Sequence, residues 1–301
     1  MVGTWTKYWE RKMKLAVFDI GGTNLKCGYF GDDHNITCQK KYETPKTFKG
    51  LVKQIHRYLD TLLDIDGIAI SAPGAVDDTR GEIDGISSVP YIHNRPIFHE
   101  LEAEFGLPVT IENDANCAGI CEVNIGAGKN FTNVAFVVVG TGVGGAVFIN
   151  RKLYKGSHLF GGEFGLMSTA DGSILSMQAT IVKAAAKYVA QTEADDVDGE
   201  KLFLLADQGD KLANELIDEV YDCLAMGLYN IQVSFDFDAI IIGGGVSARS
   251  SFSAEVAKRL EAQLVEKKVE KIMPVVETCQ YHNDANLYGA AYNFIEKQKK
   301  R

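Results

Sequence analysis

The chain has 301 residues, 46% hydrophobic and 24% charged, with a formal net charge of −9. That is enough for one large domain or two of about 150 residues each. The acidic balance argues against nucleic-acid binding, which needs a basic face, and no apolar run approaches the ~18 residues of a membrane span. The tail Lys297-Gln298-Lys299-Lys300-Arg301 is basic, as befits a solvated helix end. Residues 1–12 lack the apolar core of a secretory signal and read as an N-terminal extension ahead of a pattern that begins at Met13. Cys27, Cys38, Cys117, Cys121, Cys223 and Cys279 lie in apolar segments without a Cys-x-x-Cys pair, and read as reduced core residues of a cytoplasmic protein.

Leu15 to Phe18 is a short apolar strand ended by Asp19-Ile20-Gly21-Gly22-Thr23. Residues 25–30 and 35–42 read as further strands, and 47–63 as a helix carrying Leu51, Ile55, Leu59 and Leu62. Gly67–Ser71 and Pro108–Glu112 are buried strands, the second running into Asn113-Asp114-Ala115-Asn116. Then the opening theme recurs: strand Val134–Val139, turn Gly140-Thr141-Gly142-Val143-Gly144-Gly145, strand Ala146–Ile149. Both halves thus begin as strand, glycine-threonine turn, strand, which predicts a duplicated architecture. Residues 173–190, 198–207, 211–234, 252–268 and 284–299 are predicted helices, with strands at Ala239–Ile242 and near 274–278. Strands alternating with helices give the α/β class.

Four segments carry chemistry. In Asp19-Ile20-Gly21-Gly22-Thr23 the glycines let backbone approach anionic oxygens, Thr23 adds a hydroxyl, and Asp19 can hold hydrated magnesium. Gly140, Gly142 and Gly145 fit a dinucleotide fingerprint, but that motif requires a helix next and a strand follows; a hairpin gripping a terminal phosphate through Thr141 and Gly142 fits better. Asp114, at a strand-to-helix junction, suits a base that takes a proton from an attacking hydroxyl; the plainer reading is a helix cap. Its copy, Asn283-Asp284-Ala285-Asn286, reads as the cap of the last helix. Gly243-Gly244-Gly245 after an apolar strand leaves room for a nucleoside, or is a flexible link.

Taken in order, Asp19–Lys26, Ser71-Ala72-Pro73-Gly74, Glu112–Asn116, Gly140–Gly145, Gly161-Gly162-Glu163-Phe164-Gly165 and Ile242–Gly245 resemble the ROK sugar kinases across nearly the whole chain from Met13. The resemblance implies a two-lobed, actin-like (ribonuclease-H-like) ATPase fold with a duplicated hairpin-plus-sheet core. Residues 13–116 plus 284–301 would form the N-terminal lobe and 117–283 the nucleotide-binding C-terminal lobe. It implies ATP and magnesium, Asp114 as catalytic base, and sugar contacts from Gly74, Asn113, Asp114 and Glu163. It further implies nucleotide contacts from Gly21, Gly22, Thr23, Thr141, Gly142, Gly243, Gly244 and Gly245, Asp19 as magnesium carboxylate, and a homodimer.

Two departures stand out. The family's Glu-x-Gly-His reads Glu163-Phe164-Gly165-Leu166, and Met167 to Thr180 holds no cysteine where the family's zinc loop should follow, so no structural zinc is expected. The zinc-free branch it resembles includes β-glucoside and N-acetylmannosamine kinases. The expected activity is phosphorylation of the 6-hydroxyl of a hexose or derivative, glucose or a β-glucoside first and N-acetylmannosamine second. Leu166 would either border the anomeric end of the sugar or pack in the core. The family's repressors carry a DNA-binding domain that 12 residues before Met13 cannot encode. A non-catalytic sugar sensor is the alternative from another class, opposed by the joint presence of Asp19, Thr23, Asp114 and Thr141.

Overall fold

A computed structural model describes residues 12–192 and 194–299. The expected extension lies outside the described residues except for Lys12, as does the end of the basic tail. The described chain divides into two compact units: residues up to Cys121 together with those from Asn283 onward, and Glu122–His282.

In the first unit, β1 (Leu15–Ile20), β2 (Asn24–Phe30) and β3 (Ile36–Glu43) form an antiparallel meander, followed by α1 (Phe48–Leu59). Next come β4 (Gly67–Ala72), the small hairpin β5 (Ala75–Asp77) and β6 (Glu82–Asp84), α2 (Ile97–Phe105), β7 (Val109–Asn113) and α3 (Asp114–Asn124). The five-stranded sheet has the order β3-β2-β1-β4-β7, with β1, β4 and β7 parallel. Every residue of β1 and of β4 is buried, which is why both read as unbroken apolar runs: a parallel strand covered on both faces loses the polar alternation. α1 starts where Thr47 Oγ1 accepts from the Gly50 amide at 3.1 Å, and turns Leu51, Ile55 and Tyr58 inward.

The second unit repeats the plan. β8 (Val134–Val139), β9 (Val143–Ile149) and β10 (Lys152–Tyr154) form the meander. Then follow α4 (Leu175–Gln178), α5 (Ile181–Thr192), α6 (Gly199–Asp207), α7 (Lys211–Phe235), β11 (Ala239–Gly243), α8 (Phe252–Glu266) and β12 (Val275–Thr278). The sheet order is β10-β9-β8-β11-β12, with β8, β11 and β12 parallel, strand for strand the order of the first sheet. α9 (Ala285–Gln298) returns to the first unit and packs on β1, β4 and β7. The expected α/β class and duplicated core are both present.

Three expectations are corrected. The single helix over 173–190 is two, because Thr180 is fully buried and its hydroxyl accepts from the Lys183 amide at 3.4 Å, starting α5 afresh. Asp284 does not cap α9: its backbone is helical and its side chain makes no capping bond. The cysteines are all free, but they are not uniformly core residues. Cys38 is exposed on β3 and Cys223 half-buried on α7, while the other four are buried.

Among the described residues no helix is long and apolar enough to cross a membrane.

Candidate active site

In the first unit the site is built at the C-terminal ends of β1, β4 and β7. The β1–β2 turn leaves Gly22 and Thr23 exposed. It is tied down by Thr44, whose hydroxyl donates to the Gly21 carbonyl at 2.6 Å and whose amide donates to the Thr23 carbonyl at 3.0 Å. Asp19, at the end of β1, is only 7% exposed. Its Oδ1 accepts from Ser71 Oγ at 2.8 Å and from Asn286 Nδ2 at 2.9 Å. Its Oδ2 lies 3.6 Å from Lys26 Nζ, which donates to the Asn283 carbonyl at 3.0 Å. A buried carboxylate with neutral donors on one oxygen fits hydrated magnesium, an ion bound through one or two carboxylates while keeping several waters.

Gly74 follows β4 with φ +111°, and a Cβ there would come within 2.8 Å of Ile83 Cγ2, the Asp84 carbonyl and His93 Cε1; only glycine fits. Its carbonyl accepts from Asn113 Nδ2 at 3.1 Å. The other end of that amide, Asn113 Oδ1, accepts from the Asn116 amide at 3.1 Å and closes the first turn of α3. Asn113 thus caps α3, and Asp114 is the first residue of the helix. Its half-buried carboxylate accepts from the Ala115 amide at 2.8 Å. Next to it, Glu112 is buried, with Oε1 accepting from the Asn113 amide at 2.9 Å and from Asn116 Nδ2 at 3.0 Å.

In the second unit, the β8–β9 turn presents Thr141 exposed. Ser176 Oγ anchors the turn from α4, accepting from the Val143 amide at 3.0 Å. The Gly161–Gly165 segment lies directly on β9: side chains at Gly162 and Gly165 would collide with the backbone of Gly145 and Val143, and Phe164 is buried over Gly145. That seat fixes the backbone while Glu163 projects outward, and partial burial of its carboxyl raises its pKa above the ordinary 4.5. Leu166 is 55% exposed, so packing in the core is ruled out.

A cavity of about 860 Å³ opens beside Gly140 and Gly245. Its walls include Phe203, Leu204 and Arg249. The Arg249 guanidinium is held by Asp207 through bonds of 3.0 and 2.7 Å and stacks 4.5 Å over the Phe203 ring, so the cavity has a flat wall suited to a base. Of the glycine triplet only Gly245 lines it. Gly243 makes way for the Phe136 ring, and Gly244, at φ +88°, for the Val139 backbone. Thr141 and Gly142 lie outside the lining, in the adjoining hairpin. Among the described residues no group of three or more His, Cys, Asp or Glu could hold a metal. Sequence reasoning named neither Ser71, Lys26 nor Asn286 as site residues, although Asn286 belongs to the repeated Asn-Asp-Ala-Asn.

The family model of the ROK family matches residues 15–297. A β-glucoside kinase of Listeria monocytogenes is 34% identical over 298 residues, 96% of this chain and 99% of that protein. A ROK family protein from Streptococcus pneumoniae, solved in complex with sucrose, is 38% identical with a TM-score of 0.89, covering 96% of this chain and 100% of that one. A ROK glucokinase from Streptomyces griseus, solved with glucose and AMPPNP, is 28% identical with a TM-score of 0.78, covering 92% of this chain and 98% of that one. The fold and these relatives define an ATP-dependent sugar phosphotransferase with the actin-like ATPase fold. The chain belongs to the ROK family.

Proposed function

We propose that the protein transfers the terminal phosphoryl group of ATP to the 6-hydroxyl of a hexose or hexose derivative, with glucose or a β-glucoside favoured. The observation that carries this reading is the position of Asp114, a half-buried carboxylate that opens α3 where the chain leaves the C-terminal end of β7. As the sugar oxygen bonds to phosphorus and the bond to the departing ADP oxygen breaks, Asp114 accepts the hydroxyl proton. Gly74, Asn113 and Glu163 orient the sugar. Gly21, Gly22, Thr23, Thr141 and Gly142 hold the phosphates. The nucleoside lies in the cavity at Gly245, with Gly243 and Gly244 shaping that turn. Asp19 would hold magnesium, which when bound would supply charge neutralisation on the transferring group.

A β-glucoside is favoured because Leu166 presents an exposed apolar side chain just beyond Glu163, where a hydroxyl-binding imidazole would instead select a free anomeric end. The Listeria relative, a β-glucoside kinase, supports the same preference. The test is sugar-dependent ADP release with glucose, cellobiose, N-acetylglucosamine and N-acetylmannosamine. Cellobiose or glucose should give the highest kcat/KM. Turnover of none of the four would refute the hexose-kinase reading in favour of a sugar sensor.

A further inference from the structure

We propose that Asn286, acting with Ser71, is a positioning residue that fixes the Asp19 carboxylate for the magnesium–nucleotide. The inference rests on the reading of Asp19 as the magnesium carboxylate.

Asn286 lies in the first turn of α9. Its side-chain amide nitrogen donates at 2.9 Å to Asp19, 267 positions away in the chain. Ser71, paired with Asp19 across β1 and β4, donates to the same oxygen at 2.8 Å. Two neutral donors on Oδ1 stop the carboxylate from rotating and present Oδ2 in one direction. Lys26 stands 3.6 Å from Oδ2, an ion-pair distance longer than a hydrogen bond, while it donates to the Asn283 carbonyl at 3.0 Å. In this proposal Oδ2 is the oxygen that meets a metal-bound water.

The support under Asn286 is rigid. Ala285 and Leu287 on either side of it are 2% and 1% exposed. One turn on, α9 runs against α3 at Gly289, where any side chain would overlap the Cys117 carbonyl. A donor placed this firmly is what orientation of a metal-binding group requires.

The experiment measures Mn²⁺ binding to the enzyme–AMPPNP complex by electron paramagnetic resonance, beside the Mg²⁺ dependence of turnover. The full-length protein is compared with Asn286→Ala, Asn286→Ser, Ser71→Ala, the Asn286→Ala/Ser71→Ala double variant and Asp19→Asn. Loss of a hydrogen bond to a charged group should weaken Mn²⁺ binding and raise the half-saturating Mg²⁺ about tenfold in each donor variant. Sugar KM should not move, and the double variant should be non-additive because both donors act on one oxygen. Asn286→Ser keeps a residue tolerated in a first helical turn and too short to reach Asp19, so the test survives if the alanine variant misfolds. If Asp19→Asn weakens Mn²⁺ binding while the Asn286 variants lower only the melting temperature, Asn286 merely anchors the helix and the proposal is overturned. If Asp19→Asn leaves Mn²⁺ binding unchanged, the reading of Asp19 itself is wrong and the proposal falls with it.

Discussion

The first unit contains the four letters Asn-Asp-Ala-Asn twice, at 113–116 and 283–286, and in each copy the last Asn donates its amide to a buried carboxylate. Asn116 serves Glu112 at 3.0 Å and Asn286 serves Asp19 at 2.9 Å. A lysine stands off the second oxygen in both, Lys297 at 3.9 Å from Glu112 and Lys26 at 3.6 Å from Asp19. The remaining letters diverge. In the first copy the chain comes straight off β7, so Asn113 caps the helix and Asp114 enters it as the first residue. In the second, a short 3₁₀ turn, His282–Asp284, precedes the helix and leaves Asp284 with helical backbone and no cap bond. Identical letters therefore take different tasks according to what the backbone does immediately before them. The same fourth letter closes a local bond in one copy and a bond across the chain in the other.

The largest consequence concerns the two aspartates. Asp114→Ala should lower kcat by about 10²–10⁴-fold, the usual cost of losing a general base. Sugar binding, followed by intrinsic fluorescence, should remain detectable because the carboxylate acts chiefly during proton transfer. Asp284→Ala should leave kcat within a few-fold of the parent. Comparable losses in both variants would erase the distinction between the two copies.

Much of this was legible in the sequence, for identifiable reasons. The central strands announced themselves because both faces of β1, β4 and β11 are covered, so no polar alternation dilutes them. The two glycine-threonine turns marked the duplication, and Asp114 was visible as a carboxylate closing a strand. The break between α4 and α5 was hidden because Thr180 looks like any mid-helix residue until its burial is known. The β5–β6 hairpin escaped notice because it is short and polar, held by Arg80 reaching Asp77, Glu82 and Asp84. The link from Asn286 to Asp19 could not be read from spacing at all, since only the return of α9 to the β1 sheet brings them together. The glycine triplet showed the opposite limit: it marked a turn after β11 but not that packing against Phe136 and Val139 requires its first two glycines.

Glu163 offers a second, smaller contrast with the Asn-held carboxylates. Burial raises its pKa from the ordinary 4.5, so it takes up a proton at a higher pH than a free glutamate. Two effects of opposite sign follow. In the proposed role the carboxylate would accept hydrogen bonds from sugar hydroxyls, so sugar KM should rise as pH falls through the raised value. Stability should respond the other way: the contribution is fully present below 4.5 and is lost as pH rises through the folded value, because the charged form is the one that burial penalises. With the side chain partly exposed, solvent keeps the stability part small. Glu163→Gln should flatten both profiles. If sugar KM in the parent stays level down to pH 4.5 while the variant behaves identically, the carboxylate does not bind the sugar.

The smallest effect is the most discriminating for the repeated letters. An aspartate that caps a helix costs about 0.5–2 kcal/mol when replaced by alanine. Asp284 makes no such bond, so Asp284→Ala should cost no more than about 0.5 kcal/mol by urea denaturation. What remains is the attraction between its charge and the positive end of the α9 dipole, which salt screens within about 10 Å at 0.1 M. The loss should accordingly shrink toward zero at 1 M sodium chloride. A loss near 1 kcal/mol that persists in high salt would mean that a specific hydrogen bond had been removed. Asp284 would then be a cap after all, and the two copies would differ in less than their backbone geometry implies.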